Sequence, residues 1–398
     1  MTPPGVAERA SFGDVLRVPE FRTLLVAQCQ SRAGDQLARV ALALLVFDRT
    51  GSATLTALVY ALTFLPPLLS APALSGLADR YSRRTVMAVV DLIRAVIVAV
   101  MAIPSLPLPA VALLLVALTC PQPLFSAARN ATIPAVLPGD RLPVGMSLVN
   151  TADFVAQIAG FTLGGAVVVL LGGPHVALGI DAVTFLISAA LIRARIGPHR
   201  PAAVSPPGPA GSFALARIGW IARDRRLAGL AGFLWLYGFY LAPTALAAPY
   251  AQQVGAPRAV TGILMAADLP GAIAGSLLLV KVPPERRQRL MAPLAIATGL
   301  PLVATALAPP VPVTVALWAG SGALSAYTML AQVAVARAVP DGLRARTIGI
   351  ISAGLQTAQG MGVLLAGAIA AVLPPSASIA LCATAGSLSA LLIALTAR

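Results

Sequence analysis

The chain has 398 residues, of which 58% are hydrophobic and only 11% charged, and its mean hydropathy is +0.87. A soluble domain carries about 25% charged residues, so this composition excludes a soluble globule. The net charge of +14 therefore has to be read against a membrane and not a water-exposed surface.

Met1 to Glu20 mixes charges with Pro3 and Pro4 and lacks the apolar core of a signal peptide. Hydropathy then predicts twelve segments, at 22–46, 54–77, 85–103, 109–128, 143–171, 175–194, 227–249, 259–281, 289–308, 312–335, 346–373 and 377–396. Pro301, Pro309, Pro310 and Pro312 interrupt the ninth and tenth, so ten or eleven spans is the alternative count. With the N-terminus inside, 23 of the 28 basic residues fall on the cytoplasmic side, two (Arg49 and Arg258) outside, and three (Arg32, Arg39 and Arg94) within spans. This asymmetry places both termini in the cytoplasm. It also accounts for the basic pI without a nucleic-acid partner. Cys29, Cys120 and Cys382 are isolated, and no metal-ligand spacing, phosphate loop or nucleophile arrangement is present.

The first span carries Arg32-x-x-Asp35-x-x-x-Arg39, three charges near the bilayer midplane at about 3 kcal/mol each if they faced lipid. Two readings stand. In one, Asp35 bridges both arginines and stiffens the helix; in the other, the trio faces a cavity and serves substrate or proton.

The loop after the second span reads Gly76-Leu-Ala-Asp79-Arg80-Tyr-Ser-Arg83-Arg84. Its charges alone suit a plain anchor in the headgroup zone. Its order resembles the loop signature between helices 2 and 3 of the major facilitator superfamily, Gly-x-Leu-Ala-Asp-Arg-x-Gly-Arg-Arg, with Ser82 in place of the second Gly. The resemblance implies an all-α polytopic fold of two pseudo-symmetric six-helix bundles working by alternating access. It also implies that Asp79 latches onto the start of helix 11, here Pro340-Asp341-Gly-Leu-Arg344-Ala-Arg346, where the helix dipole favours a carboxylate. Asp91 and Arg94 in the third span are expected to extend that latch. Asp79→Asn is expected to slow turnover while leaving expression and substrate affinity nearly intact, and a wild-type rate in vesicles would contradict the latch.

On the fifth span Asn150, Asp153, Gln157, Gly160 and Gly164 share one helical face. The face reads equally as a close-packing seam. Gly160-Phe-Thr-Leu-Gly164-Gly165 also resembles the Gly-Pro-x-x-Gly-Gly core of twelve-helix proton-coupled drug exporters, with Phe161 in the Pro position. Asp181 in the sixth span and Asp268 in the eighth have no basic residue within a turn. Such a carboxyl either exchanges protons or stays neutral and bonds a neighbour.

Gly197 to Gly211 contains five prolines and reads as a linker, followed by an amphipathic stretch from Phe213 to Arg226 that suits a helix on the inner membrane face. The domains are thus 1–196, a linker at 197–226, and 227–398. Arg83-Arg84 recurs as Arg286-Arg287, and Pro138-Gly-Asp140 as Pro340-Asp341, at an offset of about 202–204, which argues for a duplication. In the second half Trp235, Tyr237, Tyr240, Ser325, Thr328, Gln356 and Gln359 offer an aromatic and polar lining for a substrate cavity.

The expected function is export of a small amphipathic molecule, drug-like or siderophore-like, by proton antiport. The proton-coupling candidates are Asp35 foremost, then Asp268, Asp153 and Asp181. A proton-coupled uptake symporter is the alternative, followed by a lipid flippase or polytopic membrane enzyme. No cofactor is expected beyond the proton gradient. The expected setting is a monomer among lipids in the bacterial cytoplasmic membrane.

Overall fold

A backbone in hydrocarbon has no water to bond, so every amide must be satisfied within its own helix. In the computed structural model, which describes residues 11–70, 81–198 and 223–396, all regular structure is helical. The first group comprises α1 (Phe12–Leu16), α2 (Pro19–Thr50), α3 (Ala53–Ala61), α4 (Arg83–Met101), α5 (Leu108–Thr119), α6 (Gln122–Val136), α7 (Arg141–Leu170) and α8 (Pro174–Arg195). The second begins with α9 (Arg225–Trp235), α10 (Tyr237–Tyr240), α11 (Ala242–Ala245) and α12 (Ala247–Gln253), which follow one another as a single interrupted rod. It continues with α13 (Val260–Ala266), α14 (Asp268–Val280), α15 (Pro284–Ala297), α16 (Gly299–Val303), α17 (Val311–Leu324), α18 (Tyr327–Ala338), α19 (Asp341–Ile369) and α20 (Pro375–Thr396).

The ends of these helices are written locally. Ser52 and Asp224 accept from backbone N–H groups of the first turns of α3 and α9. Gly51 ends α2 at φ 62°, a left-handed conformation that a side chain would strain. Prolines supply the interruptions: Pro243 and Pro249 in the seventh segment, Pro301 in the ninth.

Ten helical segments among the described residues are long and apolar enough to cross a membrane. The expected first and third segments are helices too, α2 with 32 residues and α4 with 19, but they carry Arg32, Asp35 and Arg39, and Asp91 and Arg94. Those charges separate them from the other ten. Gly76, Asp79 and Arg80 lie outside the described residues, as does most of the stretch expected to form a surface helix. Its last residues belong elsewhere: Asp224 caps α9, and Arg225 and Arg226 form the first turn of that helix.

The helices before residue 198 pack chiefly among themselves, as do those after 223. The two groups meet where α3 lies on α19 and α7 on α13. Glycine sets the second contact. A Cβ on Gly262 would run into Phe161 O and the Gly165 backbone, and one on Gly165 into Ala259 O. Polar contacts cross the seam at the same end: Arg258 pairs with Asp48 at 3.3 Å, and Thr54 Oγ1 donates to Gly367 O at 2.8 Å.

Candidate transport site

The three charges of α2 do not neutralise one another. Arg32 Nε donates to Asp153 on α7 at 3.0 Å, Asp35 accepts from Arg94 Nη2 on α4 at 2.8 Å, and Arg39 lies over the rings of Tyr60 and Phe64 at 6.0 and 5.9 Å. The reading in which Asp35 bridges both arginines is corrected here. Each charge instead reaches a different neighbouring helix, which relieves two helices at once.

Two polar nodes result. Around Asp153, Gln28 Nε2 donates at 3.3 Å and Gln157 Nε2 at 3.0 Å, while Gln36 donates to Gln157 Oε1 at 3.2 Å. The polar positions Asp153 and Gln157 thus turn toward α2, and Asn150 is exposed. Gly160 and Gly164 continue the same contact against Ala33, Leu37 and Val40, whereas Gly165 faces the other half of the molecule.

The second node lies between α2, α4 and α8. Arg94 is 6% exposed and Asp35 13%, and the guanidinium stacks over Phe185 at 4.1 Å. Asp91 and Asp181 are fully buried within electrostatic range of both. Ser188 Oγ donates to Asp91 Oδ2 at 2.5 Å and Thr184 Oγ1 to Asp181 Oδ1 at 3.2 Å, which leaves Asp91 Oδ1, Asp181 Oδ2 and Arg94 Nε without partners. Gly34 allows this closeness, since a Cβ there would strike Asp181 and Thr184. Asp91 and Arg94 therefore tie α4 to α8 and α2; Gly76, Asp79 and Arg80 of the loop latch they were expected to extend lie outside the described residues. Of that latch, Arg83 donates to Ala131 O at 2.6 Å and Arg84 to Ile196 O at 3.3 Å. Asp341 and Arg344 stand in the first turn of α19, their side chains outside the described set.

In the second half Asp268 is not alone, because Tyr237 OH donates to it at 3.3 Å. Trp235 Nε1 donates to Ile351 O at 3.0 Å and remains 38% exposed. Tyr240 is buried with its OH on Ala295 O at 2.8 Å, so it ties α10 to α15 and lines no open space. Ser325 and Thr328 turn back onto Gly322 O and Ser325 O, at 2.7 and 2.9 Å, where α17 gives way to α18. The hydroxyls of these three are thus taken up by backbone carbonyls at helix contacts and breaks. Gln356 is exposed and Gln359 half-buried on α19. Sequence spacing did not point to Gly34, Tyr60, Phe64, Phe185 or Ser188, which are ordinary residues of apolar spans until their neighbours are known.

Helices arranged as two groups, charges buried inside one of them and an inter-group seam of backbone contacts describe a multi-pass membrane protein. The Major Facilitator Superfamily model matches residues 24–317, and the chain belongs to that superfamily. It is similar to the "Multidrug efflux pump Tap" of Mycobacterium tuberculosis, 30% identical over 379 residues, covering 88% of this chain and 87% of that pump. Among solved structures it resembles the nucleoside transporter NupG, with TM-score 0.75 and 15% identity over 95% of this chain and 98% of that one. It also resembles a bacterial homologue of the iron transporter ferroportin in an inward-facing state, with TM-score 0.70 and 15% identity over 98% of each chain. These two likenesses show the fold alone.

Proposed function

We propose that this protein exports a small amphipathic molecule across the bacterial cytoplasmic membrane in exchange for protons. The observation that carries the reading is the node on Arg94: one guanidinium faces Asp35, Asp91 and Asp181 inside the membrane. One cation balances one carboxylate, and a further charge left in this interior is costly. The remaining carboxyls are tolerable there when they bind protons, and the unpartnered Asp91 Oδ1 and Asp181 Oδ2 have the room in their bonding to do so. Because Asp35 belongs to α2, a shift of that helix would separate Arg94 from Asp35 and change which carboxyl holds a proton.

The similarity to an efflux pump supports the outward direction of transport. The 23-to-2 division of basic residues supports cytoplasmic termini. On that orientation the end where Asp48 pairs with Arg258 and Gly165 packs on Gly262 is the outer one. The function is tested with a drug-susceptibility panel on cells with and without the protein. Expression is expected to raise the tolerated concentration of at least one amphipathic compound several-fold. Unchanged or lowered tolerance across the panel, with uptake increased, would favour an importer.

A further inference from the structure

Glycine brings α14 against α17 and then releases it. A Cβ on Gly271 would strike Ala319 O and one on Gly275 would strike Ala323 O, so the two backbones touch along these turns. Beyond Gly275, α14 carries Leu277, Leu278, Leu279 and Val280, while its partner span breaks at Ser325 and continues as α18. Thus α14 lies close along α17 but diverges from α18. The divergence leaves a groove beside α18 with an apolar wall, in which Val280 is 58% exposed, Met329 43% and Val333 42%.

Two pockets, of about 80 and 200 Å³, flank α18 and share Gln288, Leu330 and Ala334 in their walls. Arg287 and Arg337 rim the first, and Arg226 the second. Arg287 is held in place, because its Nε donates to Val282 O and its Nη2 to Val280 O, both at 2.7 Å. Those carbonyls orient the guanidinium without cancelling its charge. Arg226 and Arg337 are exposed, and among the described residues no carboxylate lies within 4 Å of any of the three guanidinium groups. The neighbouring Asp224 instead accepts from the amides of Arg226 and Leu227.

With the termini in the cytoplasm, this rim stands at the inner face of the membrane. Unbalanced cations there attract phosphate, and an apolar groove running inward from them suits a hydrocarbon chain. An anionic lipid offers both in that order. A soluble anion would leave the groove bare, and a zwitterionic lipid would bring a cation of its own to the arginines.

We propose that the groove beside α18 binds an anionic phospholipid of the inner leaflet, its phosphate on the rim of Arg226, Arg287 and Arg337 and an acyl chain along Val280, Met329 and Val333. The site depends on the orientation in the membrane and not on the direction or coupling of transport, so it stands apart from the export reading.

The test is native mass spectrometry of the detergent-solubilised full chain, titrated with dioleoyl phosphatidylglycerol or dioleoyl phosphatidylcholine. Wild type is expected to hold the anionic lipid about tenfold more tightly. Arg226→Gln with Arg337→Gln should erase most of that preference. Arg193→Gln with Arg195→Gln, which removes the same charge from the same membrane face at the end of α8, should keep it. Val333→Trp fills the groove and should weaken lipid binding with all three arginines present. Free glycerol phosphate should not displace the lipid. Gel filtration identifies a variant that has lost its fold, and Val333→Trp and the wild-type preference then decide. Equal binding of the two lipids by wild type overturns the proposal, as does an equal loss in the two arginine pairs, unchanged binding by Val333→Trp, or displacement by glycerol phosphate.

Discussion

Arg94→Gln is expected to cost about 3–5 kcal/mol of stability, because it takes the cationic partner from Asp35 in a site where both side chains are almost wholly buried. It also removes the stacking of the guanidinium on Phe185 at 4.1 Å. Glutamine keeps some hydrogen-bonding capacity but no charge, so the loss reports on the charge. The check is the thermal midpoint of detergent-solubilised protein, together with transport by the same sample. Adding Asp35→Asn to the Arg94→Gln variant is expected to recover part of the loss, since the stranded carboxylate is then gone. The coupling energy of the pair is the change in the double variant minus the sum of the changes in the two single variants. Wild-type stability in the single variant, or a double variant as unstable as the sum of the two singles, would show that the pair carries no weight.

Gly262→Val is expected to abolish transport by preventing closure of the end that holds Asp48. The obstacle is backbone: a side chain at 262 meets Phe161 O and the amide and Cα of Gly165, none of which can swing away. Making room for that side chain would require α7 and α13 to part, which would also separate Arg258 from Asp48 and Thr54 from Gly367 O. Ala57 reports the change because it is fully buried in the closed seam, where Gly367 packs against it. In a background with Cys29, Cys120 and Cys382 replaced by serine, Ala57→Cys should resist a water-soluble maleimide and become reactive once Gly262→Val is added. Gly262→Ala should lie between the two. Continued protection of Ala57→Cys with a normal transport rate would contradict this account of the seam.

Much of this architecture was legible from the residues. Apolar runs and the prolines at 301, 309 and 310 mark where helices run and break, because these are local consequences of backbone chemistry. The fifth-span stripe was legible as a face for the same reason: helical spacing states which residues look the same way. What spacing does not state is which helix they look at. A self-contained trio is one of the two readings that the spacing of Arg32, Asp35 and Arg39 allows, and in the fold each reaches a different partner, 59 residues away along the chain in one case. Tyr240, Ser325 and Thr328 share the composition of a substrate lining, yet their hydroxyls close backbone bonds at helix contacts and breaks. Asp268 looked solitary because Tyr237, its donor, lies in another span. Long-range partners depend on how whole helices pack, and that information is spread over many apolar side chains.

The central claim is that the protein exchanges protons for its substrate through the carboxyl node on Arg94. The most direct measurement is proton movement in proteoliposomes on addition of a compound identified by the susceptibility panel, for wild type and for single Asp→Asn variants. Wild type is expected to move protons only when substrate is present. Asp35→Asn and Asp181→Asn should lose that movement while still binding substrate, and Asp153→Asn should retain it. If the wild-type protein moves substrate with no accompanying protons, or if Asp35→Asn and Asp181→Asn both keep the wild-type proton flux, the claim is contradicted.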